Sequence, residues 1–175
     1  MNTLDLLTGQ NPDEGVLHTA HCSAVFSPCR RYRYELWRCF ANGPTVAFVG
    51  LNPSTADETK DDPTTRKCVA YAKRWGYGSL CMVNLFAWRS TYPHDMKKVI
   101  DPIGPKNDAT LRRLYATVGI LIAGWGNDGC HLNRAESVMG MLPNLHCLKR
   151  NKDGSPAHPL YLRGDATPYL LNTPT

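Results

Sequence analysis

The chain has 175 residues, of which 42% are hydrophobic and 20% are charged. A chain of this length and composition buries one sizeable core and is too short for two ordinary domains, so we predict a single domain over residues 1–175. The 20 Lys and Arg residues against 15 Asp and Glu residues give a net charge of +5. That excess suits a polyanionic partner but falls short of a histone-like tail.

Several classes of protein are disfavoured by simple features of the sequence. The longest apolar runs are far below the roughly 20 residues needed to cross a bilayer, so no membrane partner is expected. Residues 1–15 are acidic and lack a basic segment before an apolar one, which predicts no secretory signal and a cytoplasmic location. No Cys-x-x-Cys pair and no ligand-like histidine cluster is present, so neither a metal nor another cofactor is predicted. The polar or proline-marked ends, residues 1–16 and 167–175, are expected to be loosely attached.

The first predicted strand lies in residues 31–38, where ring or apolar side chains roughly alternate with charges, as in a half-exposed strand. Four short apolar runs follow and alternate with helix-like segments, the pattern of a parallel sheet with crossovers. The runs are residues 45–49, 80–83, 118–123 and 145–148. Helices are predicted from the cap Asp62 through about Trp75, from Asn107 or Asp108 through Ala116, and over residues 131–141. The sequence thus predicts a three-layer α/β/α domain with a central, mainly parallel four-stranded sheet.

Polar or glycine-rich segments follow all four of these predicted strands. Open α/β sheets bind ligands beyond the carboxyl ends of their strands, so in a parallel sheet the four segments would converge on one site. They read Gly-Leu-Asn-Pro-Ser at 50–54, Asn-Leu-Phe-Ala-Trp-Arg-Ser at 84–90, Gly-Trp-Gly-Asn-Asp-Gly at 124–129 and Gly-Ser-Pro-Ala-His-Pro-Leu-Tyr at 154–161.

The residues alone leave two interpretations of most of these segments. Residues 50–54 form either a tight turn or a binding loop. Asn84 either caps the loop backbone or reads the edge of a pyrimidine, since its amide carries both a donor and an acceptor. Residues 124–129 either cradle a phosphate on backbone N–H groups or form a plain loop. His158 does not lie on an apolar stripe, which weakens its interpretation as a core histidine.

Two of the segments carry a resemblance to a known family. Residues 50–54 resemble the first active-site motif of the uracil-DNA glycosylase superfamily, in the Gly-x-Asn-Pro-Gly form of its thymine and mismatch-specific branches. His158-Pro-Leu resembles the second motif, and Asn84 resembles the asparagine that reads the pyrimidine edge in several branches. Ser54 and Leu160 depart from these motifs, which have glycine and serine there. Over about residues 30–163 the pattern is similar to an uncharacterised domain-of-unknown-function family that itself distantly resembles these glycosylases.

The resemblance implies a uracil-DNA-glycosylase-like fold and an enzyme that hydrolyses the N-glycosidic bond of an extruded, possibly modified, pyrimidine in DNA. Asn52 would hold the attacking water and His158 would stabilise the departing base. An amide cannot accept the proton of water, so Asp57 or Asp61 would supply a general base, unless these carboxylates only cap the next helix. For Asp62 we favour capping.

Recognition would combine contacts to the base with contacts to the strand. The residues expected to contact the base are Gly50, Leu51, Pro53, Ser54, Asn84 and one of Phe86 and Trp88, with core packing favoured for Phe86. Basic residues would either neutralise phosphates or form a solvated face: Arg66, Lys67, Arg74, Arg89 and Lys152. Leu160 and Tyr161 are either packing residues or a wedge for a duplex.

Two other functions remain open from the sequence. The modest net charge also suits a hydrolase or transferase that acts on free or modified nucleosides or nucleotides. The amide of Asn52, in place of a carboxylate, also suits a non-catalytic module that binds a modified base.

Overall fold

Seven strands form one sheet in the computed structural model, which describes residues 23–171. The strands are β1 Ser23–Phe26, β2 Arg33–Cys39, β3 Thr45–Gly50, β4 Ser79–Asn84, β5 Ile120–Ala123, β6 His146–Cys147 and β7 Tyr169–Leu170. Their order across the sheet is β1-β2-β4-β3-β5-β6-β7. The four central strands are the four predicted from apolar runs, and they are mutually parallel. The mainly parallel centre is therefore confirmed, whereas the strand number is corrected from four to seven because antiparallel strands extend both edges.

The described helices include the three that the sequence predicts. They are α1 Pro63–Arg74, α2 Pro93–Met96, α3 Asn107–Thr117 and α4 Arg134–Met141, with short 3-10 helices at Asn127–Asn133 and Pro159–Tyr161. Helix α4 begins three residues later than predicted because His131 and Leu132 have non-helical backbone angles. The four-residue helix α2 was not predicted.

Helix α1 begins where its cap predicts. The Asp62 side chain accepts a hydrogen bond from the Thr65 backbone N–H at 2.7 Å, and Pro63 occupies the first helical position. This satisfies one of the N–H groups that a helix start leaves unpaired, and proline needs no such partner. The cap matters for the site because it fixes Asp62 at the amino end of α1.

Helices cover both faces of the sheet, which gives the three predicted layers. Along β3, Val46 and Phe48 face the cluster that contains Tyr71 of α1. The alternate residues Ala47 and Val49 face the other cluster, which holds apolar residues of α3 and of α4 with its C-cap: Leu111, Leu114, Val138 and Leu142. Because successive strand residues point to opposite faces, a strand buried on both faces is expected to be apolar along its buried length, as β3 is from Val46 to Val49.

Strand β2 is more buried than its alternating sequence predicts. Glu35 is 8% exposed and Arg38 is 5% exposed. Glu35 pairs with Arg113 at 2.6 Å, and Arg38 pairs with Asp61 at 2.7 Å. Charges are tolerated at such buried positions when they are paired, so the buried charges of β2 are explained by partners that are themselves partly exposed.

The carboxyl-terminal part of the described chain is attached to the sheet. Strand β7 pairs with β6, and the Leu171 N–H donates to the Leu145 carbonyl at 2.8 Å. Residues 169–171 are thus joined to the sheet, while residues 1–16 and 172–175, which are also predicted to be loosely attached, lie outside the described residues. None of the helices within residues 23–171 has the length and apolar character needed to span a membrane.

Candidate active site at the carboxyl ends of the parallel strands

A cavity of about 390 Å³ lies at the carboxyl ends of the parallel strands. All four predicted segments contribute to its wall, as do β2 and the amino end of α1. The wall residues include Arg33, Gly50, Leu51, Asn52, Ser54, Asp62, Asn84, Ser90, Trp125, Gly126, Asp128, His158, Leu160 and Tyr161. The predicted convergence of the four segments is thus seen in the structure, and Asn52 and His158 share one cavity.

The loop after β3 continues to pair with the loop after β4. The N–H groups of Leu85 and Phe86 donate to the carbonyls of Gly50 and Leu51, both at 2.9 Å. A Cβ atom on Gly50 would lie 2.8 Å from the Asn84 side-chain oxygen. Glycine at position 50 therefore leaves room for the Asn84 amide beside the strand end.

The side chain of Asn52 has a fixed orientation. Its Nδ2 donates to the Ser90 carbonyl at 2.7 Å and to the Pro53 carbonyl at 3.2 Å. Carbonyl oxygens only accept, so the amide nitrogen must face them and Oδ1 must face away. Asn52 therefore offers an acceptor rather than a donor to a further partner.

Asn84 is 5% exposed, and its Nδ2 has no hydrogen-bond partner among residues 23–171. The backbone at this position is fixed by the buried Asn107 side chain, which donates to the carbonyls of Asn84 at 3.0 Å and Leu85 at 2.8 Å. An unpaired buried donor costs about 1–3 kcal/mol. An acceptor supplied by a ligand would relieve that cost.

His158 precedes the 3-10 helix at Pro159–Tyr161 and caps it. Its Nδ1 accepts from the Leu160 N–H at 3.4 Å, so the neutral ring carries its proton on Nε2. Burial lowers the pKa of His158 below its usual value, against the opposing effect of Asp62. The imidazole is therefore neutral at pH 7 and has Nε2–H to donate.

Gly124 sets the position of the His158 loop. A Cβ atom on Gly124 would lie 2.8 Å from Cδ and 2.9 Å from Cγ of Pro159. The loop also bonds to the next residues of the β5 segment, because the Gly126 N–H donates to the Pro156 carbonyl at 2.9 Å. The glycine thus lets the loop pack directly on the end of β5.

Arg33 and Trp125 are cavity residues that the sequence did not single out as site residues. Arg33 is 4% exposed, and burial lowers its pKa to about 10, with Asp62 opposing the shift. The guanidinium therefore stays charged at pH 7 and is balanced by the Asp62 carboxylate, which also lines the cavity. The buried Trp125 forms an aromatic part of the wall; its place between two glycines after a predicted strand was the available signal.

The two predicted general bases lie outside the cavity wall. Asp57 accepts from the N–H groups of Thr59 and Lys60 at 2.9 and 2.8 Å, and these bonds lower its pKa. Asp61 pairs with Arg38. Both carboxylates hold the loop before α1, so the structure gives no support to their predicted catalytic role.

The predicted aromatic contacts also need correction. Phe86 is fully buried in the core, as favoured, and its ring lies 5.5 Å from that of His131. Trp88 is absent from the cavity wall and packs edge-on against Tyr32 with ring centroids 5.4 Å apart. Neither ring is placed to stack on a ligand inside the cavity. Trp125, in contrast, lines the cavity wall.

The predicted phosphate contacts divide between the rim and more distant surfaces. Leu160 and Tyr161 lie at the cavity, and Tyr161 is 83% exposed. The basic residues Arg66, Lys67, Arg89 and Lys152 do not line it. Arg66 donates to the Asp61 carbonyl, and the Lys67 ammonium lies 5.4 Å from the Tyr71 ring centre.

Metal ligation finds no obvious place in the described part of the chain. Within residues 23–171, no three side chains of His, Cys, Asp or Glu stand together as metal ligands.

The loop at residues 124–129 carries Asp128 on the cavity side, paired with Lys97 at 2.5 Å. A carboxylate at this position weakens the alternative of a phosphate cradle.

The fold and the cavity define a class: a three-layer α/β protein whose polar loops meet at the carboxyl ends of its parallel strands. Within that class, the chain belongs to the DUF1643 family, described as a protein of unknown function, which matches residues 33–160. No curated protein and no solved structure matches the chain. The expected membership of an uncharacterised family is confirmed, while the relation to uracil-DNA glycosylases stays a prediction.

Proposed function

We propose that the cavity binds a nucleobase and that the protein hydrolyses the N-glycosidic bond of a pyrimidine extruded from DNA. One observation carries the proposal. An unpaired buried amide at Asn84, an oriented amide at Asn52 and a neutral imidazole at His158 all line one cavity. The resemblance of the same three positions to uracil-DNA glycosylase motifs supports it further.

The electrostatics of the cavity favour a neutral polar ligand. Arg33 and Asp62 contribute opposite charges to the wall, Asp128 is paired with Lys97, and the remaining key groups are amides and a neutral imidazole. A pyrimidine edge presents both acceptors and donors, which the Asn84 amide complements. Leu51 and Trp125 add apolar surface for the faces of the ring, as small-molecule sites commonly do.

The chemistry follows from the same groups. The oxygen of water bonds to the sugar C1′ as the bond from C1′ to the base nitrogen breaks, and its electron pair leaves with the base. Nε2–H of His158 donates to the base oxygen where negative charge develops, and Oδ1 of Asn52 accepts one hydrogen of the water to orient it. The second water proton ends on the departing base. Because no carboxylate acts as a general base, we expect the reaction to be about 10²–10⁴-fold slower than one that has such a base.

A second candidate is hydrolysis of a free nucleoside. The favouring observation is that Arg66, Lys67, Arg89 and Lys152 all lie outside the cavity wall, so the cavity itself has few groups for a phosphate backbone. A nucleoside hydrolase would turn over monomers with little sensitivity to salt, whereas a DNA glycosylase would bind its substrate more weakly as salt rises.

The direct test measures base release. The protein is incubated with oligonucleotides that carry uracil, mismatched thymine or bulky modified pyrimidines, and with the matching nucleosides; alkali then reveals abasic sites, and chromatography reveals free base. Asn52→Ala and His158→Ala should each lower release at least 10²-fold while leaving binding largely intact.

The matched control is Asn144→Ala, which removes an exposed amide that does not line the cavity and should leave release unchanged. No release of base from any oligonucleotide or nucleoside would refute the enzymatic proposal. Tight binding of one modified base without release over many hours would assign a non-catalytic base-binding module instead.

A further inference from the structure

A groove lined by arginines adjoins the cavity. Arg30, Arg31 and Arg89 line this groove, and Ser54, Ser90 and Thr91 line both the groove and the cavity. The two depressions therefore share a wall of hydroxyl groups. A single extended ligand can occupy both.

The fold holds these arginines together. The Arg89 N–H donates to the Arg31 carbonyl at 2.9 Å, and Arg89 Nη1 donates to the Arg30 carbonyl at 3.2 Å. The guanidinium groups of Arg30 and Arg89 lie over the Phe26 ring, 4.0 and 4.8 Å from its centre. Contact with one ring restricts both positive heads, which reduces the entropy lost when they bind an anion.

The positive charge of the groove is only partly compensated. Arg30 pairs with Glu58 at 2.9 Å, but both side chains are exposed, and such pairs contribute little. The Arg31 guanidinium is exposed and makes no hydrogen bond or ion pair within residues 23–171. Buried Nε of Arg89 also lacks a partner in this part of the chain. Three guanidinium groups thus face two carboxylates, Glu58 and Asp57, and Arg89 is among the groups that lower the pKa of Asp57.

We propose that this arginine groove binds the sugar-phosphate backbone of the DNA strand whose base occupies the cavity. The inference rests on the proposed function and names its substrate as a polynucleotide rather than a nucleoside. Guanidinium groups match phosphate oxygens in two-point contacts, and hydroxyl side chains commonly add phosphate contacts. Trp88, which lines the groove, offers an aromatic face to a neighbouring base.

The test uses a fluorescent single-stranded oligonucleotide built around an abasic analogue, so that the backbone is present without a base for the cavity. Its affinity is measured by anisotropy between 50 and 200 mM salt. Arg31→Gln should lower the affinity and reduce the slope of log affinity against log salt by about 0.7, one phosphate contact on a single strand. Over this fourfold salt range the variant should therefore lose about two- to threefold less affinity than the wild type.

Two matched variants sharpen the test. Arg112→Gln removes an exposed arginine of α3 that lines neither the groove nor the cavity and should leave the slope unchanged. Glu58→Gln frees Arg30 from its carboxylate and should raise the affinity. Because Arg31→Gln and Arg112→Gln change the net charge equally, a loss of affinity at Arg31 alone would separate a local groove from a general effect of net charge.

Equal losses in Arg31→Gln and Arg112→Gln, or an unchanged slope in Arg31→Gln, would overturn the groove. Binding to vesicles containing phosphatidylserine that depends on Arg31 while oligonucleotide binding does not would assign an anionic membrane surface and also overturn it. Arg31-dependent binding of the abasic oligonucleotide without base release from any substrate would keep the groove and reject the proposed enzyme. Release from nucleosides without oligonucleotide binding would overturn the groove and assign the second candidate, a nucleoside hydrolase.

Discussion

Replacing Gly124 by alanine tests whether the end of β5 positions the His158 loop. Gly124 does not have a positive φ, so alanine can adopt its backbone conformation and the change adds only a methyl group. That methyl carbon would lie 2.8 Å from Cδ and 2.9 Å from Cγ of Pro159. The neighbour is a rigid ring rather than the end of a flexible chain, so the loop itself has to move.

The size of the effect follows from this overlap. Restoring an ordinary contact of 3.4 Å requires a displacement of about 0.6 Å. Overpacking of this kind typically lowers the free energy of unfolding by about 1–3 kcal/mol. A misplacement approaching 1 Å in a catalytic group can cost about 10²-fold in rate. We therefore expect a stability loss in that range and a base-release rate reduced by about one to two orders of magnitude.

Urea denaturation followed by tryptophan fluorescence measures the free energy of unfolding. The rate of base release measures the effect of the substitution on the candidate active site. Gly140→Ala is the matched control, since Gly140 lies in α4 with no atom within 4 Å of an added Cβ, and alanine there should stabilise the protein by about 0.5–1 kcal/mol. The double variant Gly124→Ala/Pro159→Ala removes the ring atoms that clash. It should be more stable than the sum of the two single changes predicts.

Wild-type stability in Gly124→Ala would refute the steric reasoning. So would a double variant whose stability equals the sum of the single effects, because the predicted coupling between the two positions would then be absent.

Three further outcomes follow from the structure. Asp62→Ala removes the cap of α1 and should lower the free energy of unfolding by about 1 kcal/mol in urea denaturation; no loss would contradict the cap. Asn107→Ala deprives the buried Asn84 carbonyl of its donor and should cost about 1–3 kcal/mol, whereas the exposed control Asn144→Ala should stay within about 0.5 kcal/mol. The pKa of His158 is lowered by burial, so the unfolded chain binds its proton more readily than the folded one. His158 should therefore reduce stability as pH falls below about 6.5, a loss that His158→Gln should lack, and an NMR titration that places its folded pKa above that value would contradict the assignment.

The central strands and α1 could be predicted because local sequence and tertiary environment agree there. Apolar runs bounded by turns suit strands buried on both faces, and Asp62 with Pro63 marks a helix start. The edge strands could not be predicted in this way. Strand β7 has only two residues, and β1 has four residues that are exposed or half-exposed, so their pairing depends on neighbours that are distant in the chain.

Buried charge accounts for most of what the sequence misses at the site. The sequence indicates a surface charge at Arg33 and a helix cap at Asp62, yet both line the cavity, where Asp62 favours the charged form of Arg33. Asp57 and Asp61 have the residue type of a general base and the right place in the sequence, but turn N–H groups and Arg38 engage them. Sequence identifies such groups as candidates; which of them faces the cavity depends on partners brought together by the fold.

The distribution of charge also bears on the choice between substrates. A phosphate inside the cavity would need a cation, and Asp62 already offsets the one that Arg33 supplies, so burying an added anion there would be costly. The arginine groove beside the cavity carries positive charge that is only partly compensated. In a free nucleotide, the sugar alone would decide whether the phosphate reaches the cavity or the groove. A DNA strand, in contrast, always carries charged phosphates next to its uncharged bases. The neutral cavity beside a positive groove therefore fits an extruded base on a strand better than a charged monomer.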